Sequence, residues 1–147
     1  MNINSAIIQG AKVLKERFNR NPYLDSEILM TKAINKDKKY ILLNSKRDLD
    51  IKDLDTFQKL INKRSTGKPI AYLTNKKSFW KSEFTLSEDT LIPRPDTELV
   101  IEKVLDLTAY KRKLNILEIG IGSGCILLSI LKERKSFYGT GIDISKR

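Results

Sequence analysis

Apolar residues recur at a spacing of three to four through the first third of the chain. Ile3, Ile7, Gly10/Ala11, Leu14 and Phe18 share one face of an amphipathic helix running from 3 to about 18. Asn21-Pro22 predicts a new start, with Asn21 as N-cap and Pro22 in the first helical position. Tyr23/Leu24, Glu27/Ile28, Thr31 and Ile34 continue at helical spacing. A short helix is predicted at Lys38 to Leu43. A longer one is predicted from Ile51 to Arg64, burying Leu54, Phe57, Leu60 and Ile61. Residues 1 to about 66 thus read as a small helical bundle with a limited core.

The period changes after Gly67-Lys68-Pro69. Ile70 to Leu73 is a short apolar run, and Asn75 stands in a turn position. Lys77-Ser78-Phe79-Trp80 and Glu83-Phe84-Thr85-Leu86 predict a β-hairpin turning at Lys81-Ser82. The two prolines of Leu91-Ile92-Pro93-Arg94-Pro95 demand extended chain. A helix is then expected from Pro95-Asp96-Thr97-Glu98 through Leu99, Val100, Val104, Leu105 and Leu107. Leu114 to Ile119 predicts a buried strand, Gly120 to Gly124 a loop, Cys125 to Arg134 a helix, and Phe137 to Ile142 a second strand ending at Asp143. That order is half of a Rossmann-type unit.

Composition removes several kinds of chemistry. The 147 residues hold one cysteine, Cys125, and no histidine. Zinc sites of the usual type and Ser-His-Asp or Cys-His catalysis are excluded. A lone cysteine gives no disulfide framework and fits a cytoplasmic location. No apolar run is long enough for a membrane helix, and the first residues lack the pattern of a signal peptide. The net charge is +10 and uneven: residues 1–72 carry 15 Lys/Arg against 8 Asp/Glu, residues 73–147 carry 13 against 10. Two readings stay open: an acidic or nucleic-acid partner met by the first half, or lysine bias on solvated helix faces.

The most informative stretch is Leu117-Glu118-Ile119-Gly120-Ile121-Gly122-Ser123-Gly124. Glycines after a buried strand let main chain approach a ligand, and the N–H groups of the following helix point at the same spot. Asp143 lies 23 residues after Gly120, where nucleotide-binding units of this kind place an acid on ribose hydroxyls. The loop is G-x-G-x-G, with Cys125 in the third dinucleotide-glycine position, and no Gly-Lys-Ser/Thr follows. Glu118 is a poor neighbour for pyrophosphate and a good one for a cation. These features favour S-adenosylmethionine, which carries a ribose, a sulfonium and an ammonium, over NAD. Another nucleotide and a purely structural turn are the alternatives. Candidate ligand residues are Glu118, Gly120, Ile121, Gly122, Ser123, Gly124 and Asp143.

Residues 117–126 resemble motif I of class I methyltransferases, and the chain is most similar to the release-factor glutamine methyltransferases, the PrmC/HemK family. Arg64-Ser65-Thr66-Gly67-Lys68-Pro69-Ile70-Ala71-Tyr72, Phe79-Trp80, Leu91-Ile92-Pro93-Arg94-Pro95-Asp96-Thr97-Glu98 and Leu24-Asp25-Ser26-Glu27-Ile28-Leu29 resemble further segments of that family. The resemblance implies a helical substrate-recognition domain at 1–72 and a β-hairpin linker at 73–92. The start of a Rossmann-like S-adenosylmethionine-binding domain would follow at 93–147, truncated. It further implies N5-methylation of the glutamine in the Gly-Gly-Gln motif of peptide chain release factors. The family's Asn-Pro-Pro-Tyr motif holds the reacting amide. It is expected downstream of Arg147, so no catalytic residue is assigned here, and the chain is expected to be incomplete and inactive alone, with strands left unpaired. The expected state is a monomer.

Arg94 is a further candidate at the cofactor or substrate, and equally for a surface salt bridge. Thr97 and Glu98 are candidates by resemblance to line the methyl-donor site, with helix capping as the plainer role. Phe79 and Trp80 are read as hairpin core rather than partner surface, and Cys125 as a packing residue. Asn75 and Lys81 stand where the family often has glycine; Asn75 can adopt the left-handed region. Two other functions compete: adenine N6-methylation of DNA or RNA, which the basic first half suits, and a non-catalytic fragment that only binds a release factor.

Overall fold

The computed structural model describes residues 1–17 and 20–145. They form two compact units, Met1–Thr74 and the residues from Asn75 onward. Unit one contains helices α1 (Ile3–Lys15), α2 (Pro22–Ile34), α3 (Lys38–Leu43), α4 (Ile51–Ser65) and the single turn α5 (Ile70–Thr74). The helix predicted to reach Phe18 ends at Lys15, and Phe18 lies outside the described residues. Three helices begin on side-chain caps. Asn2, Asp37 and Asp50 accept the main-chain N–H three residues on, at 2.8, 2.7 and 2.7 Å. Each cap satisfies a donor the helix cannot, a contribution of about 1 kcal/mol. Asn35 ends α2 in the left-handed region, with φ 51°.

Unit one packs around Ile3, Ile7, Leu14, Leu29, Met30, Ile41, Phe57 and Ile61. Of the positions at helical spacing in α2, Glu27 is buried and Ile34 packs against the core, but Tyr23 and Leu24 are exposed, while Asp25 and Ser26 are buried instead. The buried polar groups are matched. Asp25 accepts from Arg64 Nε at 2.7 Å, Ser26 donates to the Ile7 carbonyl at 2.8 Å, and Glu27 pairs with Lys38 at 2.8 Å. Helix α2 is thus tied to α4, α1 and α3 by polar bonds between apolar layers.

Unit two opens with the hairpin of β1 (Lys76–Phe79) and β2 (Ser82–Thr85), followed by α6 (Glu98–Leu107), β3 (Asn115–Ile119), α7 (Cys125–Glu133) and β4 (Tyr138–Ile142). Phe79 pairs with Ser82, so the turn is Trp80-Lys81, one residue earlier than predicted. Trp80 takes φ 53°, a left-handed conformation disfavoured for a bulky residue. Two carboxylates hold it there. Glu98 accepts its main-chain N–H at 2.7 Å, and Glu133 accepts its indole N–H at 2.8 Å. Asn75, at φ 60°, uses the freedom expected of it.

Strands β3 and β4 pair in parallel, from Asn115 opposite Tyr138 to Ile119 opposite Ile142. With α7 between them they make a parallel β-α-β unit. The prediction of a buried β3 is corrected: Leu117 and Ile119 are 59% and 76% exposed. Among the described residues α7 covers only the face that carries Glu118. Helix α6 runs through Leu99 to Leu107 as expected; Ile101 is inside, whereas Leu99, Val100 and Leu107 are exposed. Helix α7 approaches β4 closely because Gly139 leaves room; a Cβ there would stand 2.7 Å from Leu127 and 2.9 Å from Leu131.

The core of unit two gathers Phe79, Phe84, Ile101, Cys125, Ile130 and Phe137. Phe79 meets Phe84 edge-on, with ring centroids 6.3 Å apart. Ser129 on α7 is 1% exposed, and its hydroxyl has no partner among the described residues. Ser129→Ala is therefore expected to stabilise the chain by about 1 kcal/mol, removing an unmet polar group and adding a better helix former. A urea midpoint that moves down instead would show that the hydroxyl is satisfied in solution. No helix among the described residues is long and apolar enough to cross a membrane.

Candidate functional site

The segment between β3 and α7 is built on glycine conformation. Gly120, Gly122 and Gly124 have φ 76°, 52° and 74°, all in the region that side chains avoid. A Cβ on Gly120 or Gly122 would meet nothing within 4 Å, so these two are required for backbone shape and leave open space above the loop. Gly124 is both left-handed and crowded, with Leu128 at 3.1 Å from a Cβ position.

Both flanking carboxylates bind main chain, one in the loop and the other in the first turn of α7. Asp143, just past β4, accepts the Gly122 N–H at 2.8 Å through Oδ2 and the Ser145 N–H at 2.9 Å through Oδ1. Those bonds, Ser145 first and Gly122 next, hold its pKa below the usual value. Glu118, inside β3, accepts the Leu127 N–H at 3.0 Å. Leu127 lies in the first turn of α7, whose N-cap, Gly124, has no side chain to offer. A residue of the strand thus supplies the cap, and its charge sits at the positive end of the helix. Burial pushes Glu118 above the usual carboxylate range, and the Leu127 bond opposes that shift.

The loop is also bound to β4. The N–H groups of Gly120 and Ile121 both donate to the Ile142 carbonyl, at 2.8 and 3.1 Å. Ile121 lies against Gly141, where a Cβ would stand 1.9 Å from its Cδ1. Gly141 and Gly139 were missed in the sequence; their alternation inside a strand was the available signal for a close approach.

The structure thus brings together Glu118, Gly120, Ile121, Gly122, Ser123, Gly124 and Asp143. Arg94 and Thr97 lie at a 3-10 turn (Pro95–Thr97) before α6. No side-chain hydrogen bond or ion pair among the described residues joins either to the loop, and Arg94 is exposed with no carboxylate paired to it. Glu98 neither caps α6 nor reaches the loop, because its carboxylate is on Trp80. Phe79 is buried in the hairpin core, as expected. Burial pushes the Cys125 thiol up, which suits packing and not nucleophilic attack. With carboxylates at both ends and helix N–H groups at its base, the site suits a ligand with hydroxyls and positive charge, and opposes a phosphate.

Residues 5–74 match the model of the PrmC N-terminal domain. The chain is similar to the release factor glutamine methyltransferase of Leptospira interrogans, 37% identical over 94% of this chain and 49% of the relative. It is also similar to that of Buchnera aphidicola subsp. Schizaphis graminum, 36% identical over 99% and 52%. Against that of Shewanella oneidensis the figures are 31% over 92% and 47%. The chain spans about half the length of the curated relatives it matches.

Proposed function

We propose, from the match of residues 5–74 to the PrmC N-terminal domain model, that the chain is the methyl-donor-binding and partner-recognition part of a release factor methyltransferase. The reaction is S-adenosylmethionine-dependent N5-methylation of the glutamine in the Gly-Gly-Gln motif. Unit two is the start of a Rossmann-like domain that holds the methyl donor. Unit one engages the release factor. The observation that carries this reading is the run of three left-handed glycines between a parallel strand and a helix, with a carboxylate on either side.

The residues present fit the methyl donor. Open space above Gly120 and Gly122 admits a ligand to the main chain. When bound, S-adenosylmethionine supplies an electrophilic methyl group on a sulfonium. Asp143, fixed by two main-chain N–H groups, keeps acceptor capacity for ribose hydroxyls. Glu118 compensates positive charge next to the loop. Because both acids are anchored on main-chain N–H groups, Asp143 in the loop and Glu118 in the first turn of α7, little ordering remains to be done when the ligand arrives.

Equilibrium dialysis of S-adenosylmethionine against the 147-residue chain tests the reading, and its pH dependence adds a second check. Asp143 has a lowered folded pKa, so its hold on the loop is present above the unfolded value and is lost only as pH falls through the lowered one. Glu118 has a raised folded pKa, so its contribution to stability is present below the unfolded value and is lost as pH rises through the folded one. Glu118 therefore takes its proton first on acidification. Methyl-donor affinity should weaken as pH falls through a point above the usual glutamate value, and Glu118→Gln should flatten that dependence. An affinity independent of pH down to the range where Asp143 titrates would remove Glu118 from the site. The charge of +10 suits the adenine N6-methyltransferase reading; binding of a release factor rather than of DNA or RNA by the same chain separates the two.

A further inference from the structure

Unit one holds a cavity that the methylation chemistry does not use. It is an open cleft of about 370 Å3, lined among the described residues by Leu14, Arg17, Arg20, Asn21, Asp25, Arg64, Ser65 and Gly67. That volume lies in the range of small-ligand pockets. From these residues we infer that it is a binding site for a phosphomonoester.

The charge of the lining points to the ligand. Three guanidiniums face one carboxylate, and that carboxylate, Asp25, is already engaged by Arg64 Nε at 2.7 Å. The wall is left with an excess of two positive charges. Arg17 and Arg20 are exposed, and neither pairs with a carboxylate among the described residues. A phosphomonoester carries between one and two negative charges near neutral pH and offers several strong acceptor oxygens. A single carboxylate would leave the wall undercompensated.

Geometry adds to charge. Arg64 is 22% exposed and held in place, with Nε on Asp25 and Nη1 on the Lys68 carbonyl at 3.1 Å. Its planar group is therefore oriented before any ligand enters, and its Nη2 carries no bond to the described residues. Guanidiniums match phosphate oxygens two at a time. Asn21, the N-cap of the 13-residue helix α2, lines the same cavity, which puts the positive end of that helix at the wall. Asp25 serves as the positioning residue for Arg64, and its buried pair with Arg64 is the reason a carboxylate sits in an anion site.

Two sources supply this chemistry: inorganic phosphate and a small phosphorylated molecule. The test is titration of the 147-residue chain with inorganic phosphate and, separately, with adenosine 5′-monophosphate at constant ionic strength, read by calorimetry and by 31P line broadening. Saturable binding of either probe is expected, with the two competing for one site. Tighter binding of the nucleotide would assign the site to a phosphorylated molecule, and equal binding to phosphate itself. The double variant Arg17→Ala/Arg20→Ala, at exposed positions, should weaken binding roughly ten-fold or more, as loss of charge-assisted hydrogen bonds implies. Arg17→Lys/Arg20→Lys should restore part of it, and S-adenosylmethionine binding should be unchanged in both. The inference is overturned by absence of saturable binding at millimolar probe, by equal displacement with chloride, or by binding that survives the double alanine change.

Discussion

Gly141→Val is expected to remove S-adenosylmethionine binding, by roughly a hundred-fold or more, although residue 141 is in a strand and not in the glycine loop. The reason is where the new atoms would stand. A Cβ at 141 lies 1.9 Å from Ile121 Cδ1, 2.9 Å from its Cγ1 and 3.1 Å from its Cβ. A rotamer change can move the first two atoms but not the third, so the main chain at Ile121 must shift. That shift acts on the bonds that give the loop its shape, from Gly120 and Ile121 to the Ile142 carbonyl and from Gly122 to Asp143. Overpacking of this kind costs about 1–3 kcal/mol or more, and each 1.4 kcal/mol that falls on the binding-competent loop is about ten-fold in affinity. Gly67→Ala is the control. Gly67 is also left-handed, at φ 97°, but lies in unit one and meets nothing within 4 Å, so its alanine carries only the left-handed penalty of about 1–2 kcal/mol and should leave methyl-donor affinity unchanged. Dialysis of both variants measures the difference. If Gly141→Val binds the methyl donor as tightly as the unchanged chain, the loop geometry described here is not what holds it.

The contrast between these two glycines shows what the sequence could convey. Local rules were legible in part. The start of α2 at Pro22 after Asn21 was legible in the chain itself, although Asn21 makes no side-chain cap bond; the side-chain caps Asn2, Asp37 and Asp50 obey an equally local rule and were missed. The left-handed glycines were legible because their rule is local too. Relations between distant segments were not. That Glu118 caps α7, and that Asp143 binds Gly122, depends on the parallel pairing of β3 and β4. The polar inner face of α2 was hidden because Asp25 is matched by Arg64, 39 residues away. The hairpin register slipped by one because two helices supply the carboxylates that hold Trp80 in a turn where its size alone would not put it. Alternation inside β4 could have revealed Gly139 and Gly141, but only if glycine in a strand is read as space reserved for a neighbour.

Gly10→Val is the second large effect expected, and it falls on unit one. In an isolated helix, replacing glycine by alanine gains about 1 kcal/mol, so Gly10 is locally unfavourable in the middle of α1. Packing reverses the sign. A Cβ at residue 10 would stand 2.6 Å from Ser26 Oγ, 2.8 Å from Phe57 Cζ and 2.9 Å from Ile61 Cδ1. Phe57 and Ile61 are core residues of α4, and Ser26 is a fully buried residue of α2 whose hydroxyl donates to the Ile7 carbonyl at 2.8 Å. Pushing α1 away therefore opens apolar contacts and also stretches a buried hydrogen bond, each about 1–3 kcal/mol. Gly10→Ala should destabilise unit one by about 1–3 kcal/mol net, and Gly10→Val, with its branched side chain, by more. Two units need not unfold together, so two signals are required. The single tryptophan, Trp80, reports unit two by fluorescence, while far-ultraviolet circular dichroism is weighted toward the helices of unit one. The dichroism midpoint in urea should move down in both variants, further for valine. A rise for Gly10→Ala would mean that helix propensity outweighs contact, and that the three helices can part at this point without cost. In the expected case, release factor binding should fall in step with the unfolded fraction of unit one, which links the recognition assigned to these helices to one position where only hydrogen fits.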